Sequence, residues 1–180
     1  MKLLIPTIIA VFVMGCGRDN DTTGDADRPE RTPEAKAQLK DAKGQNVGNA
    51  TFTEMLDGVN VVVKVSGISP GQHGIHIHQA GSCEDAAFKS AGAHFNPSNQ
   101  QHGSLNPQGM HVGDLENIHV SGDGTGTLQQ TIKRATLTPG QNSLLREGGT
   151  SVVLHAAADD LKTDPSGGSG DRIACGVIEH

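Results

Sequence analysis

The chain has 180 residues, enough for one compact domain and a short appendage. Trp and Tyr are absent and only four Phe supply aromatic bulk, so a core must come from Val, Ile, Leu and Ala; with 24 Gly, that suits a small β-sandwich with many turns. The net charge of −6 argues against a nucleic-acid partner, which would call for a basic patch.

Residues 1–15 read as a signal peptide. Lys2 is a minimal positive region, and Leu3 to Met14 is an apolar run too short to span a bilayer comfortably. Val13-Met14-Gly15-Cys16 then has the form of a bacterial lipobox, in which Cys16 is lipidated and becomes the mature N-terminus. The plainer alternative is an ordinary signal peptide cut at small residues. The expectation is an extracytoplasmic lipoprotein held at a membrane through Cys16. Export permits disulfides; with Cys16 lipidated, Cys83 and Cys175 can pair, and the lack of any CxxC excludes a cysteine zinc site. Residues 16–34 carry six acidic residues, Pro29 and Pro33, and no apolar side chain beyond Ala26 and the lipobox cysteine. Such a segment cannot bury a core and is expected to be a disordered acidic tether.

From residue 35 the chain alternates and turns to its end at 180. Ala35–Lys40 reads as a strand, Asp41–Gln45 as a turn, and Asn49–Glu54 as a second strand. Asp57-Gly58 turns the chain into the β-branched run Val59–Val65, and Ser69-Pro70-Gly71 breaks it before Gly74–His78. Asn117–Val120 and Gly126–Lys133 flank Ser121-Gly-Asp-Gly124, a hairpin signal. Ser151–His155 and Ile173–Ile178 complete eight candidate strands, with no helix longer than a turn or two. The pattern predicts an all-β, eight-stranded Greek-key sandwich or flattened barrel with long loops.

Nine histidines in so small a protein point to metal. His76 and His78 lie two apart in a strand, so both rings face one side and can grip one ion. His94, His102, His111 and Asp114 fall in a Gly- and Pro-rich stretch with little strand character. A long loop of that kind needs something to hold it, and three imidazoles with a carboxylate make a closed tetrahedral zinc site. His155, ending the apolar run Val152-Val-Leu, is a further candidate ligand; the bland alternative is a set of solvated loop histidines.

Five motifs carry a resemblance. Gly71-Gln-His-Gly-Ile-His76-Ile-His78, Ala93-His94-Phe-Asn-Pro97, His111-Val-Gly-Asp-Leu115, Val153-Leu-His155 with Asp159-Asp160, and Gly170-Asp-Arg172-Ile-Ala-Cys-Gly-Val-Ile178 resemble, in order, the copper,zinc superoxide dismutase family, over residues 35–180. The resemblance implies that His76, His78, His94 and His155 hold copper. It implies equally that His94, His102, His111 and Asp114 hold zinc, with His94 bridging the two ions. Asp159 matches the carboxylate that links a copper histidine to a zinc histidine, and Arg172 matches the arginine that receives the anion. Cys83 and Cys175 match the family's disulfide. The implied reaction turns superoxide into oxygen and hydrogen peroxide by reduction and reoxidation of copper, with His94 as proton carrier and zinc structural. His73 falls at a position that hydrogen-bonds inside the barrel, His119 on a surface strand, and His180 at the terminus.

Two departures accompany the resemblance. Only twelve residues, Asp160–Asp171, separate Asp159 from Arg172, fewer than in the better-known animal enzymes. The stretch from Gln79 to Ala93 differs in length on each side of Cys83 and looks more like bacterial members. Oligomeric state does not carry over. The main rival is a dismutase-like lipoprotein that keeps metals without turnover; four histidines at the copper positions and Arg172 favour the enzyme. A zinc hydrolase would need an open coordination position and a general base, which a closed four-ligand set does not offer.

Overall fold

The computed structural model describes residues 32–180. The expected signal peptide, Cys16 and most of the 16–34 tether lie outside the described residues.

The described residues form nine strands: β1 (Glu34–Asp41), β2 (Asn46–Met55), β3 (Gly58–Val65), β4 (Gly71–His73), β5 (Ile75–His78), β6 (Ile118–Val120), β7 (Gly126–Lys133), β8 (Ser151–His155) and β9 (Arg172–Val177). The period of two is plain in β1, where Ala35, Ala37 and Leu39 are buried and Lys36, Gln38 and Lys40 are exposed. In β3 the buried set is Val59, Val61, Val63 and Val65. Phe52, Phe95, Ile75, Ile77 and Leu154 join these in one core, built mainly from aliphatic side chains as composition required. The single 3₁₀ turn, Lys89–Ala91, is the only helical element among the described residues.

All strand pairings are antiparallel, in the order β4-β6-β7-β3-β2-β1-β9-β8-β5. Sequence neighbours that do not pair, such as β3 with β4, mark the crossovers of a Greek key. The all-β expectation is met with one strand more than expected. Gly74–His78 was expected as one strand, with its predecessor in a turn. Instead the chain changes partners at Gly74: β4 pairs with β6 and β5 with β8, at opposite ends of the sheet. One residue therefore joins the two ends and draws the sheet into a flattened barrel. Gly74 donates to the Ala157 carbonyl (2.8 Å) and accepts from His155 N (2.8 Å). A Cβ there would meet the Ser169 Cβ at 2.7 Å, so only glycine fits the crossing.

The loops are sewn to the barrel at the free edge of β5. Phe95 N donates to the Ile77 carbonyl (2.8 Å), Ile77 N to the Gly113 carbonyl (2.8 Å), and Gly113 N to the Phe95 carbonyl (2.9 Å). Two loop segments thus lie beside β5 as if they were further strands, and each presents its neighbour, His94 or Asp114, to the outward side chains of β5.

Candidate metal centre

On β5 the inward residues are Ile75 and Ile77, so His76 and His78 share the opposite face, and β8 adds His155 beyond Leu154. With His94 they form a group whose ligand atoms all lie within 4.8 Å of one another. A second group, His94, His102, His111 and Asp114, meets the same limit and shares His94. All seven residues are buried. Every predicted ligand is therefore brought into one of two adjoining clusters.

In the first cluster each ring has one nitrogen fixed and one free. His76 Nε2 faces Asp159 Oδ2 (2.7 Å), His78 Nδ1 the Gly92 carbonyl (2.9 Å), and His155 Nδ1 the Gly170 carbonyl (3.2 Å). The remaining atoms, His76 Nδ1, His78 Nε2, His94 Nε2 and His155 Nε2, are buried without a hydrogen-bond partner. Four orphaned lone pairs converging on one point would be costly in an apolar site and are what a metal ion with nitrogen ligands requires. Burial holds these imidazoles neutral: His76 is pushed down to about 3, His78 to about 2 and His155 to about 4, with the proximity of His94 adding to each, and His94 itself is lowered.

In the second cluster Asp114 Oδ1 lies 3.0 Å from Nδ1 of His94, His102 and His111 alike. Three ring nitrogens around one carboxylate oxygen approach the edges of a tetrahedron, which are about 3.3 Å for ligands at ordinary metal distances. The other Asp114 oxygen accepts from Gly103 N (2.8 Å) and His111 N (3.0 Å), which fixes the carboxylate. Burial would raise Asp114, but the three imidazoles outweigh it and hold the group ionised. For His102, burial is likewise outweighed, here by Asp114 and Asp159, which hold it up to about 9. The donor set fits a four-coordinate cation that displaces the His102 proton.

Asp159 joins the two clusters, accepting from His76 through Oδ2 and from His102 Nε2 through Oδ1 (3.0 Å). Its own backbone is clamped by Asn117, whose amide donates to the Asp159 carbonyl and accepts from Asp159 N, both at 2.8 Å. Gly167, at φ +61°, packs so closely that a Cβ would overlap the Asp159 carboxylate. Asp164 accepts from His102 N (2.6 Å), so this charge of the short loop serves the cluster.

Arg172 is half-buried and pairs across the ladder with His155. Its Nη1 donates to the Phe88 carbonyl (2.6 Å) and Nη2 to the Gly92 carbonyl (2.7 Å), the same oxygen that orients His78. Phe88 sits at φ 53°, and its ring packs with Ala91, Val153, Cys175 and Cys83. Cys83 and Cys175 form a disulfide with Cα atoms 5.7 Å apart. It ties the 79–93 segment to β9 and so holds the carbonyls that fix Arg172.

His73 is buried with its ring nitrogens facing the His155 (2.8 Å) and Ser69 (2.9 Å) carbonyls, while His119 and His180 are exposed, each as expected. Asn117, Phe88, Gly92 and Asp164 escaped the sequence reading. Asn117 carried only a strand-start signal, and the Phe88 and Gly92 contacts are made by backbone oxygens, which no side-chain motif records.

The family model for copper/zinc superoxide dismutase matches residues 46–178. Superoxide dismutase [Cu-Zn] 2 of Aquifex aeolicus is 43% identical over 146 residues, covering 80% of this chain and 85% of that protein. Superoxide dismutase-like protein YojM of Bacillus subtilis is 36% identical over 189 residues, covering 98% and 94%. Among solved structures, a double mutant of a Bacillus subtilis SOD-like protein, in which a tyrosine and a proline are each replaced by histidine, superposes with a TM-score of 0.77 at 39% identity, covering 81% of this chain and 97% of that one.

Proposed function

We propose, because the chain belongs to the copper/zinc superoxide dismutase family and is a superoxide dismutase using copper and zinc, that His76, His78, His94 and His155 hold the copper and His94, His102, His111 and Asp114 the zinc. The observation that carries this assignment is the set of four orphaned, buried nitrogens beside a carboxylate-centred tetrad, with His94 common to both. Copper, when bound, supplies a one-electron couple, so that two superoxide ions and two protons become one oxygen and one hydrogen peroxide, while zinc supplies charge without redox chemistry.

The chain's own residues bind, orient and protonate. Arg172 keeps a planar cation half-exposed beside His155, and two carbonyls fix its plane, so its remaining N–H groups are aimed in advance at a small anion. His94 Nδ1 is committed to the Asp114 side, which leaves Nε2 as the atom where a proton is held and handed to the reduced dioxygen. Asp159 and the carbonyls of Gly92 and Gly170 hold the other rings in one tautomer.

For residues 1–34 the reading is export, lipidation at Cys16 and a tether that holds the barrel outside the cytoplasm. The lipobox-like stretch supports it, and the Cys83–Cys175 disulfide suits an oxidising compartment. The likeness to a protein named only superoxide dismutase-like keeps a second reading in play, a metal-holding lipoprotein without turnover.

Metal replacement separates these readings. His102→Ala is expected to lose zinc while copper partly remains, and His155→Ala to lose copper and activity while zinc and fold remain. Equal loss of both metals from both variants would overturn the two ligand sets. A wild-type protein that carries both metals and removes superoxide no faster than free buffer would establish the second reading. Intact mass of the native protein reads Cys16 directly: an unmodified thiol refutes lipidation.

A further inference from the structure

We propose that the β2–β3 hairpin tip, Met55–Leu56, is a membrane contact: it seats in the surface layer of the bilayer that carries the Cys16 lipid and fixes which end of the barrel faces that bilayer. The inference rests on the anchoring reading above and goes beyond it.

Three large apolar side chains are exposed among the described residues: Met55 (50%), Leu56 (109%) and Leu105 (66%). Single exposed apolar residues are ordinary. Two side by side at the apex of a hairpin are a protruding apolar point. Of the acidic neighbours, Glu54 is turned away, its carboxylate accepting from Leu137 N, while Asp57 stays at the turn and Glu34 lies opposite Thr53. Lys133, the ladder partner of Gly58, and Arg134 are exposed at the same end. An apolar tip with cations behind it is the pattern that lies in a headgroup layer.

The point at which the anchored segment joins the barrel selects the occupant. The Pro33 carbonyl accepts from Glu54 N (2.9 Å), so the chain enters the fold one rung from Met55. Cys16 is 17 residues before Pro33, a reach of at most about 60 Å. A lipid at Cys16 therefore confines this end near the bilayer at an effective concentration in the mM range, where a contact too weak to bind alone is populated. The orientation has a consequence for the site. β1 pairs Glu34 with Thr53 at the tip end and Asp41 with Ala174 at the other, and Arg172 lies two residues beyond Ala174. Tip-down seating places Arg172 at the far end of the barrel, away from a surface whose negative charge would repel an anionic substrate.

The sequence has no Trp, so Leu56→Trp introduces a single fluorophore. Cys16 is the one cysteine outside the disulfide, so the chain from Cys16 to His180, which contains the whole core, can be coupled to a maleimide lipid in phosphatidylethanolamine–phosphatidylglycerol vesicles. On coupling, Trp at 56 is expected to shift to the blue and to be quenched by shallow brominated lipids about twofold or more beyond a matched Leu105→Trp chain. Lys133→Glu is expected to reduce that quenching. Vesicles that carry the protein while Trp at 56 keeps its free-solution spectrum would overturn the proposal. So would a blue shift that grows with protein concentration without vesicles, which would make a second copy the occupant. Coupling through the thiol makes these results independent of processing in the cell; an unmodified Cys16 in the native protein would remove the anchor and the tip's bilayer with it.

Discussion

Asp159→Asn removes one charge and keeps the shape, so it isolates what the carboxylate does. Asp159 is 4% exposed and accepts from His76 (2.7 Å), His102 (3.0 Å) and Leu161 N (2.6 Å). An amide has one acceptor oxygen, and it stays where Oδ1 accepts from both Leu161 N and His102, two bonds against one. The amide NH₂ then faces His76 Nε2, which must give up its proton and accept. A neutral His76 in that tautomer carries its proton on Nδ1, its otherwise unpartnered nitrogen, and is closed to a metal. Loss of such an orienting partner costs 10–100-fold in metal affinity; the tautomer argument puts copper near about 100-fold and zinc near about 10-fold. Competition with a chromophoric chelator measures both, with far-UV circular dichroism to confirm the fold. Unchanged copper affinity, or a loss confined to zinc, would refute the reasoning.

Other outcomes follow from the same geometry. Arg172→Ala is expected to leave copper and zinc stoichiometry intact, since His78 keeps the Gly92 carbonyl, and to lower the dismutation rate by about 10–100-fold, the worth of a hydrogen bond to a charged group; Arg172→Lys should fall between, and a fully metallated Ala variant at wild-type rate would remove the arginine from the mechanism. Replacing Cys83 and Cys175 together by Ser opens a loop closed across 92 residues of sequence, costing about 4–5 kcal/mol and about 10–20 °C in Tm by calorimetry. The metal-free protein should be most stable near pH 6.5. Below it, His76, His78, His94 and His155, held neutral in the fold but protonated when unfolded, withdraw stability as pH falls from 6.5 toward 4; above it, His102 alone withdraws its share as pH rises toward 9. Four protons against one make the acid flank the steeper, each proton contributing about 1.4 kcal/mol per pH unit, and urea titrations across pH would show a symmetric profile if those burial shifts were wrong.

The residues that meet in the two clusters were legible because their chemistry is written in side-chain type and spacing: a period of two put His76 and His78 on one face, and the loop histidines stood in a Gly- and Pro-rich stretch with little strand character. The strands were legible from alternation or, in β8, from a short β-branched apolar run, and β7 and β8 begin and end where expected. The short strand β4 was not, because Ser69-Pro70-Gly71 reads as a turn and only its pairing with β6 makes Gly71–His73 a strand. Nor were the supports of Arg172 and Asp159. A carbonyl oxygen at Phe88 or Gly92 is available at any residue, and its use depends on a left-handed backbone at Phe88 and a disulfide 92 residues long in sequence. Asn117 could have been any strand-edge amide until the fold brought it 42 residues forward to Asp159.

The loop segments laid along β5 have a bearing on solubility. β5 ends the strand order, and its outer N–H and C=O groups at Ile77 are met only by Phe95 and Gly113. Those two residues adjoin His94 and Asp114, so ions bound there as proposed would also keep this cover in place. If the ions leave and the loop lifts, a short, uncharged strand is left with an unpaired edge, the template on which another chain adds by strand pairing. With those ligand sets, metal loading would also guard against self-association, and the metal-poor fraction of a preparation is where oligomers built through β5 should first collect.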